Sequence, residues 1–271
     1  MRSQLEKAEH FQALHHHERA FIIPNPWDVG TVRLLERLGF EALATTSAGY
    51  AFSIGQRDNT VGREKMMDHV RTLASATDLP VSADFENGFG DDPETVAETV
   101  RLGAAQGLVG CSIEDSTGRS SDPIYDFELA VERVRAAVDA ARLLPFPFTL
   151  TARCENFLVG RADLSSTIKR LQAYQEAGAD VLYAPGLRSR SDIATLVQSV
   201  DRPVNVLMGL AGVDFDVEDL SAIGVKRISV GSGLARAAFG AFLHAAREMR
   251  ERGTFKFAED AIPFRDLSEM F

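Results

Sequence analysis

The chain has 271 residues, 45% of them hydrophobic, and its 39 acidic residues outnumber its 29 basic ones, giving a formal net charge of −10. This length and apolar content allow a large packed core and exclude a disordered chain. The Lys and Arg residues are scattered, which excludes the clustered basic surface of a nucleic-acid-binding protein and leaves a small molecule as the expected partner.

Short apolar runs alternate along the chain with segments whose apolar residues recur at helical spacing. Eight runs are predicted strands, at residues 21–24, 42–45, 81–84, 109–114, 148–152, 181–184, 204–207 and 227–230. The clearest helical segments are residues 29–38, 96–105, 130–141, 168–177 and 234–249. Eight βα units in a chain of this size favour one TIM-type (β/α)₈ barrel domain spanning residues 1–271, with a doubly wound open sheet as the alternative.

Two segments flank the predicted barrel. Residues 1–18 read as an N-terminal helix, in which we interpret His15-His16-His17 as a solvated helix end rather than a metal-binding tract. Residues 254–271, the C-terminal tail, are too apolar for a free end and are expected to dock. Docking on a second subunit and folding back on the same barrel both remain open.

Only two cysteines, Cys111 and Cys154, occur in the chain. The sequence shows no signal-like apolar segment at its N-terminus and no apolar run that approaches membrane-spanning length. So few cysteines fit a reducing compartment. We therefore expect a cytoplasmic protein with no membrane partner.

Acidic residues follow the third and fourth predicted strands. Asp84 and Glu86 come after one apolar run, and Glu114 and Asp115 after the next. A carboxylate at the end of a buried strand is costly unless a cation or hydrogen bonds compensate it. We interpret Asp84, Glu86 and Glu114 as hard oxygen ligands for Mg²⁺, with Mn²⁺ as an alternative. A solvated turn and ordinary strand-end caps are the simpler readings.

Other polar groups also follow strands, where barrel enzymes place their active sites. They are the stretch 45–50 after strand two, Arg153 and Glu155 at the end of strand five, and Asn205 within strand seven. The turn Gly231-Ser232-Gly233 after strand eight resembles a phosphate-binding cup. Its alternative is a turn whose small residues let the last helix begin close to the barrel.

Several of these motifs occur together in a fixed order. They are Pro24-Asn25-Pro26-Trp27-Asp28, Thr46-Ser47-Ala48-Gly49, Asp84-x-Glu86-x-Gly88-x-Gly90, Ile113-Glu114-Asp115 and Thr151-Ala152-Arg153. From about residue 10 to 250 the chain thus resembles the isocitrate lyase and phosphoenolpyruvate mutase superfamily. The resemblance implies an (α/β)₈ barrel whose last helix is exchanged between subunits of a homotetramer or homodimer. It also implies a Mg²⁺ ion that holds an α-oxocarboxylate or its enolate.

The resemblance also assigns roles to residues. Asp84 would bind the metal most directly, with Glu86 and Glu114 acting through water. The implied substrate-binding residues are Ser47, Ala48, Gly49, Tyr50, Asp84, Arg153 and Asn205. The implied catalytic residues are Asp58, on a gating loop, Glu114, and Arg153, whose planar fork of donors suits a carboxylate or enolate oxygen.

Two departures from the superfamily pattern bear on the reaction. Isocitrate and methylisocitrate lyases carry a cysteine proton donor after the strand-four acids, where this chain has Ser116-Thr117-Gly118-Arg119-Ser120. Phosphonate mutases and hydrolases use a histidine near the end of strand six, where this chain has Tyr183-Ala184-Pro185-Gly186. The proton donor is left open among Tyr50, Ser116, Cys154 and a water molecule.

Three functions are compatible with these patterns. The leading hypothesis is a Mg²⁺-dependent carbon–carbon lyase or decarboxylase, similar to methylisocitrate lyase, that acts on a small α-oxo or 2-hydroxy di- or tricarboxylate through an enolate. The second is a phosphonopyruvate or phosphoenolpyruvate mutase or hydrolase. The third is a non-catalytic binder of oxo acids.

Overall fold

The structure, a computed structural model, describes residues 2–271 and contains a parallel sheet of eight strands. The strands are β1 (Phe21–Ile23), β2 (Leu43–Ala44), β3 (Val81–Asp84), β4 (Gly110–Glu114), β5 (Thr149–Arg153), β6 (Val181–Tyr183), β7 (Val204–Leu207) and β8 (Arg227–Ser229). Each predicted strand is present, with bounds that differ by at most one residue at either end.

The sheet is a nearly closed barrel. Every neighbouring pair is parallel, and the strand order is β1-β8-β7-β6-β5-β4-β3-β2. Next to the gap between β1 and β2, the Ala44 N–H donates to the Pro24 carbonyl at 3.1 Å, and the Asn25 side-chain amide donates to the Thr45 carbonyl at 3.0 Å. The predicted (β/α)₈ barrel is confirmed, and the open-sheet alternative is wrong.

Helices alternate with the strands. They are α1 (Gln4–Leu14), α2 (Val29–Arg37), α3 (Ser47–Ser53), α4 (Arg63–Ala74), α5 (Pro93–Ala105), α6 (Phe127–Arg142), α7 (Leu164–Glu176), α8 (Arg190–Gln198), α9 (Val217–Ala222), α10 (Gly233–Arg252) and α11 (Phe264–Ser268), with a short 3₁₀ helix at Lys256–Glu259. Side-chain caps mark several starts, as where the Asp28 carboxylate accepts the Thr31 N–H of α2. None of the helices within residues 2–271 combines the length and apolar character needed to cross a bilayer.

Helix α1 covers the N-terminal end of the barrel and ends at Leu14 rather than at residue 18. Directly after it, His15 is only 4% exposed, so its predicted solvation is wrong. Its ring packs edge-on against Phe11 and Phe21, with centroids 4.9 and 5.0 Å away, and burial lowers its pKa to about 3. Phe11 lies before the histidines in sequence and Phe21 lies after them, so the local sequence pattern did not predict this packing.

The inside of the barrel is polar. Arg227, the first residue of β8, is buried and donates from Nε to Asn205 Oδ1 and from Nη2 to Thr151 Oγ1, both at 2.9 Å. No carboxylate in the described chain lies within 4.0 Å of it. Burial accordingly lowers the pKa of Arg227 to about 10.

Helix α10 stands away from the rest of the chain. Of its 20 residues only Ala235 is buried, and Phe242 is largely exposed. The C-terminal tail turns back along α10, where the Glu248 carboxylate accepts the N–H groups of Lys256 and Phe257. Phe264 in this tail is nevertheless 88% exposed. The apolar surface of α10 and the tail is thus left without a cover in one copy of the chain.

Candidate active site

A cavity of about 350 Å³ lies at the C-terminal ends of the strands. The last residue of each of β3, β4, β5, β6 and β7 reaches it, and so do the segments that follow β2 and β8. Its polar and charged lining consists of Thr46, Ser47, Asp58, Asn59, Asp84, Glu86, Glu114, Ser116, Arg153, Glu155, Tyr183, Ser232 and Arg236. Most of the side chains expected from sequence to form a site therefore share one space.

Asp84 is oriented by the first residue of α3. The Ser47 N–H donates to Asp84 Oδ2 at 3.1 Å, and the Ser47 hydroxyl lies 2.8 Å from the same oxygen. The hydroxyl also lies 3.0 Å from Asp58 Oδ1. Burial, followed by the charge of Asp84, raises the pKa of Asp58. Ser47 thus joins the predicted metal ligand to the predicted gating-loop acid.

Arg153 lies among three carboxylates. Its Nη1 is 3.2 Å from Glu114 Oε2 and 3.5 Å from Asp84 Oδ1, and its Nε donates to Glu155. Burial lowers the pKa of Arg153, but the surrounding negative charges raise it by more, so the guanidinium stays charged. Arg153 is accordingly the cation that this acidic cluster already contains.

Glu86 sits in a strained and poorly solvated position. Its backbone φ is +51°, in the left-handed region that β-carbon-bearing residues rarely adopt, and its carbonyl accepts the Glu114 N–H at 2.9 Å. The buried Oε1 atom has no hydrogen-bond partner among the described residues. Burial, with smaller contributions from Asp84 and Asp58, raises the pKa of Glu86 to about 8.

Carboxyl groups outnumber basic groups in this cluster. Five carboxyl groups surround one guanidinium group, and they belong to Asp58, Asp84, Glu86, Glu114 and Glu155. Burial raises the pKa of Glu114 and of Glu155, because both carboxyl groups are largely shielded from bulk solvent. Within residues 2–271, no three His, Cys, Asp or Glu side chains are already grouped closely enough to hold a metal ion. The carboxylates instead face a shared volume.

Three predicted substrate-binding residues do not line this cavity. Gly49 is buried under α10, where an added β-carbon would lie 2.5 Å from Thr46 Cγ2 and 3.2 Å from Ala235. Tyr50 stacks on His69, with ring centroids 3.7 Å apart. Asn205 lies deeper in the barrel and donates to Ser229 Oγ at 2.9 Å. Of the Ser47–Tyr50 segment, only Ser47 and Ala48 reach the cavity.

Asp115, Cys111 and Cys154 do not line the cavity. Asp115 accepts hydrogen bonds from the Tyr174 hydroxyl at 2.6 Å and from the Glu155 N–H at 2.8 Å. Cys111 and Cys154 are fully buried, and burial raises the pKa of both thiols. Of the three side chains considered as proton donors, Ser116 alone lines the cavity.

Backbone N–H groups of the turn after β8 are already hydrogen-bonded within the protein. Both Val230 N–H and Gly231 N–H donate to Asn25 Oδ1 at 2.9 Å. Gly231 has a φ of +52°, which explains why a glycine stands there. With two of its donors taken by Asn25, this turn matches the simpler reading of a tight start to α10 better than a phosphate cup.

Tyr183 and Arg236 are among the cavity residues to which the sequence analysis assigned no role. Tyr183, at the end of β6, faces the cavity with its ring 5.4 Å from the Arg153 guanidinium carbon. Arg236 reaches the cavity from the first turn of α10. The rule that barrel sites collect residues after strands would have found Tyr183. Arg236 lies inside a helix, and only the position of the helix start at the barrel mouth would have indicated that this residue reaches the cavity.

Comparisons with known proteins agree with this fold. A crystal structure from Burkholderia cenocepacia J2315, provisionally described as a lyase or mutase, superposes with a TM-score of 0.95 at 62% identity, and the match covers 98% of this chain and 95% of the other. The 2-methylisocitrate lyase of Escherichia coli K12 is 29% identical over 253 residues, covering 88% of this chain and 84% of that protein.

A third similar protein is oxaloacetate acetylhydrolase, solved in complex with its product oxalate. It superposes with a TM-score of 0.87 at 26% identity, and the match covers 99% of this chain and 95% of the other. Residues 11–250 match the phosphoenolpyruvate phosphomutase family. The chain belongs to this family and is an enzyme of the isocitrate lyase and phosphoenolpyruvate mutase superfamily.

Proposed function

We propose that the protein is a Mg²⁺-dependent carbon–carbon lyase or decarboxylase that acts on a small α-oxo or 2-hydroxy di- or tricarboxylate through an enolate. The observation that carries this proposal is the excess of buried carboxylates around Arg153 at the mouth of the barrel. A divalent cation would offset that excess and would supply positive charge for an anionic substrate.

The residues of the site fit a divalent cation. Oxygen donors from carboxylates are the ligands that Mg²⁺ prefers, and this ion commonly keeps several waters while one or two carboxylates hold it. Asp84 would hold it directly, and Glu86 and Glu114 would hold its waters, which would give the unpartnered Glu86 Oε1 a hydrogen-bond donor. When bound, the ion would stabilise the negative charge that develops on an enolate oxygen.

Arg153 would contribute the second positive charge. Its Nη1 and Nε atoms face Asp84, Glu114 and Glu155, whereas Nη2 has no acceptor in the described chain and would donate to a substrate oxygen. These neighbours hold the guanidinium plane in place before substrate arrives. Such preorganised donors stabilise a developing charge without reorganisation during the reaction.

The reaction would need a proton acceptor and a proton donor. For a 2-hydroxy acid, a carboxylate takes the hydroxyl proton, the carbon–carbon bond breaks to leave a carbonyl product, and the bond's electron pair forms the enolate of the second product. Asp58, joined to the site through Ser47, would be the acceptor. The enolate carbon would then take a proton from Ser116 or from a water beside it.

A product-based assay would test this function. The full-length protein with Mg²⁺ would be incubated with methylisocitrate, isocitrate, oxaloacetate and 2-methylmalate, with detection of pyruvate, glyoxylate and carbon dioxide. We expect turnover that is lost in EDTA and in Asp84→Asn, and retained in the surface variant Glu132→Gln. No turnover of any substrate would contradict a lyase or decarboxylase.

The same protein would distinguish the two other hypotheses. Phosphonopyruvate chemistry would appear as phosphate release or isomerisation in phosphorus NMR. A non-catalytic binder would be stabilised against heat by Mg²⁺ plus an oxo acid without any chemical change, because a ligand of the native state raises apparent stability. Tyr183 at the end of β6, where phosphonate mutases and hydrolases use a histidine, weighs against phosphonopyruvate chemistry.

A further inference from the structure

The segment from Glu86 to Asp91, between β3 and α5, has an unfavourable backbone conformation. Glu86 and Phe89 have φ values of +51° and +62°, in the left-handed region, although neither residue is a glycine. Such conformations persist only where the surrounding structure imposes them. The contacts that impose this one therefore determine where the Glu86 carboxylate points.

One buried side chain, Arg133 of α6, binds three carbonyl oxygens of this segment. Its Nη1 donates to the Gly90 carbonyl at 2.6 Å and also to the Asp91 carbonyl, and its Nη2 donates to the Asn87 carbonyl. Arg133 is only 1% exposed, and no carboxylate of residues 2–271 lies within 4.0 Å of its guanidinium nitrogens. The planar fork of Arg133 therefore holds backbone oxygens rather than a charged partner.

Tyr125, which lies just before α6, holds the same segment from its other side chain contacts. Its ring lies against Arg133, with the guanidinium carbon 4.0 Å from the ring centroid. Its hydroxyl donates to Asp91 Oδ1 at 2.6 Å and accepts from Asn87 Nδ2 at 3.0 Å. The Tyr125 N–H donates to the carbonyl of Asp115, in the segment after β4, at 3.0 Å. Arg133 and Tyr125 together thus link the segment after β3 to the segment after β4.

Glu86 is the point where this segment meets the acidic cluster. Its side chain lines the cavity, and its buried Oε1 has no hydrogen-bond partner among the described residues. Its carbonyl accepts the Glu114 N–H at 2.9 Å. Because residues 87–91 follow Glu86 directly, a relaxation of their backbone would change the φ of Glu86 and turn its carboxylate away from the volume that it shares with Asp84.

We infer that Arg133 and Tyr125 are positioning residues of the cation site, which act by holding the Glu86 carboxylate toward the cavity. This inference rests on the proposed function, in which Glu86 holds a water of the metal ion. Neither Arg133 nor Tyr125 lines the cavity, so both act without touching the cation or the substrate. Groups that orient metal-binding side chains in this way commonly change metal affinity by about 10- to 100-fold.

Cation affinity of the full-length protein tests this role without any turnover. The electron paramagnetic resonance signal of free Mn²⁺ would measure binding of that ion, and competition would give the affinity for Mg²⁺. Arg133→Lys keeps the positive charge but loses the fork, and Tyr125→Phe keeps the ring but loses the hydroxyl. Arg142→Lys is the control, because Arg142 ends the same helix and donates to the carbonyls of Gly178 at 3.1 Å and Phe148 at 3.5 Å, before β6 and β5, away from the cavity.

We expect Arg133→Lys to weaken Mn²⁺ binding by about 10-fold or more. Tyr125→Phe should weaken it by about threefold to tenfold, the scale of one hydrogen bond. Arg142→Lys should change it by less than about twofold, since that site is distant and shares no partner with Glu86. In Glu86→Gln, which binds the ion more weakly by itself, adding Arg133→Lys should change the affinity by less than about twofold, because both changes remove the same oriented carboxylate.

Two results would overturn the inference. In one, Arg133→Lys binds Mn²⁺ as tightly as wild type. In the other, Arg133→Lys weakens binding by the same factor with Glu86 present and with Glu86→Gln, as a general loss of stability would. If Arg133→Lys does not fold, Tyr125→Phe is judged by the same two comparisons. Either result leaves the proposed function standing, because wild type binds the ion. Absence of Mn²⁺ and Mg²⁺ binding by wild type would instead remove the proposed function, and this inference with it.

Discussion

Ser47 donates to Asp84 through both its backbone N–H and its hydroxyl, and both contacts end on the same oxygen, Oδ2. The hydroxyl carries one hydrogen, yet it also faces Asp58 at 3.0 Å. Ser47 therefore offers one hydrogen to two carboxyl groups, and burial, followed by the charge of Asp84, raises the pKa of Asp58. The other oxygen of Asp84, Oδ1, accepts the Glu86 N–H at 3.4 Å and lies 3.5 Å from Arg153 Nη1.

Replacing Ser47 with alanine should weaken this arrangement. Ser47→Ala removes the hydroxyl between two carboxyl groups but keeps the backbone N–H, so Asp84 Oδ2 loses one of its two donors. We expect oxalate affinity with Mg²⁺ to fall by about 10-fold, since hydrogen bonds to charged groups are worth about 1.5–3 kcal/mol.

Ser53→Ala is the matched control for that measurement. It removes a hydroxyl from the same helix that donates only to the Tyr50 carbonyl, on the exposed side. Calorimetric titration of wild type, Ser47→Ala and Ser53→Ala with oxalate in the presence of Mg²⁺ would measure the three affinities. Wild-type affinity in Ser47→Ala would show that the hydroxyl does not orient Asp84.

Arg153 should be essential for stability when no cation is bound. Arg153→Met leaves Glu114, Glu155 and Asp84 without their shared guanidinium, and removal of one partner from a buried ion pair commonly costs about 3–5 kcal/mol. We expect a loss of that size in the free energy of unfolding in EDTA. Added Mg²⁺ should restore part of it.

An exposed arginine provides the comparison for Arg153→Met. Arg101 pairs with Glu94 and Glu98 on the surface of α5, where ion pairs contribute about 0–1 kcal/mol. Urea unfolding of Arg101→Gln should therefore give a curve close to that of wild type. Equal losses in the two variants would mean that the acidic cluster does not depend on Arg153.

The metal-free protein should become less stable as pH rises. The pKa of Glu86 is raised to about 8 by burial and by nearby Asp84 and Asp58, whereas the unfolded chain titrates at an ordinary 4.5. Between these values the folded protein keeps a proton that the unfolded chain has lost. Unfolding therefore releases a proton, and the free energy of unfolding falls between about pH 5 and about pH 8. Asp58, Glu114 and Glu155 shift in the same direction.

Urea unfolding in EDTA across that pH range would measure the slope. Glu86→Gln should make it shallower, because the amide does not titrate, while Glu132→Gln on the surface of α6 should leave it unchanged. Saturating Mg²⁺ should also flatten it, since a cation stabilises the ionised carboxylates. A free energy of unfolding that rises with pH in EDTA would contradict the burial of Glu86.

The sequence predicted the barrel well because most of its strands are buried on both faces and therefore read as continuous apolar runs. It also predicted the acids after β3 and β4, since a charge that ends such a run is conspicuous. The same reasoning wrongly placed Tyr50 and Asn205 in the cavity. Both lie near the predicted site in sequence, but the direction of their side chains depends on packing against His69 and Arg227, which are distant in sequence.

Helices were harder to predict than strands. Helix α3 has only seven residues, and its first residue, Ser47, acts in the site instead of forming a core stripe. Arg236 was missed for a related reason, because a lone arginine on an amphipathic helix looks like any solvated residue. Arg236 is placed at the cavity by the contact between the neighbouring Ala235 and Gly49, and no local sequence pattern predicts such a tertiary contact.

The uncovered surface of α10 and the C-terminal tail should be an interface between copies of the chain. Exposed aromatic residues of this kind are rare on monomers, and here Phe242, Phe255 and Phe264 are spread along one continuous segment. Light scattering should give two or four times the mass of one chain. Phe264→Asp should reduce that mass, because it would bury a charge at the interface. Leu143→Asp, at the 84% exposed residue directly after α6, should not. A monodisperse monomer of the wild-type chain would show that this surface faces solvent.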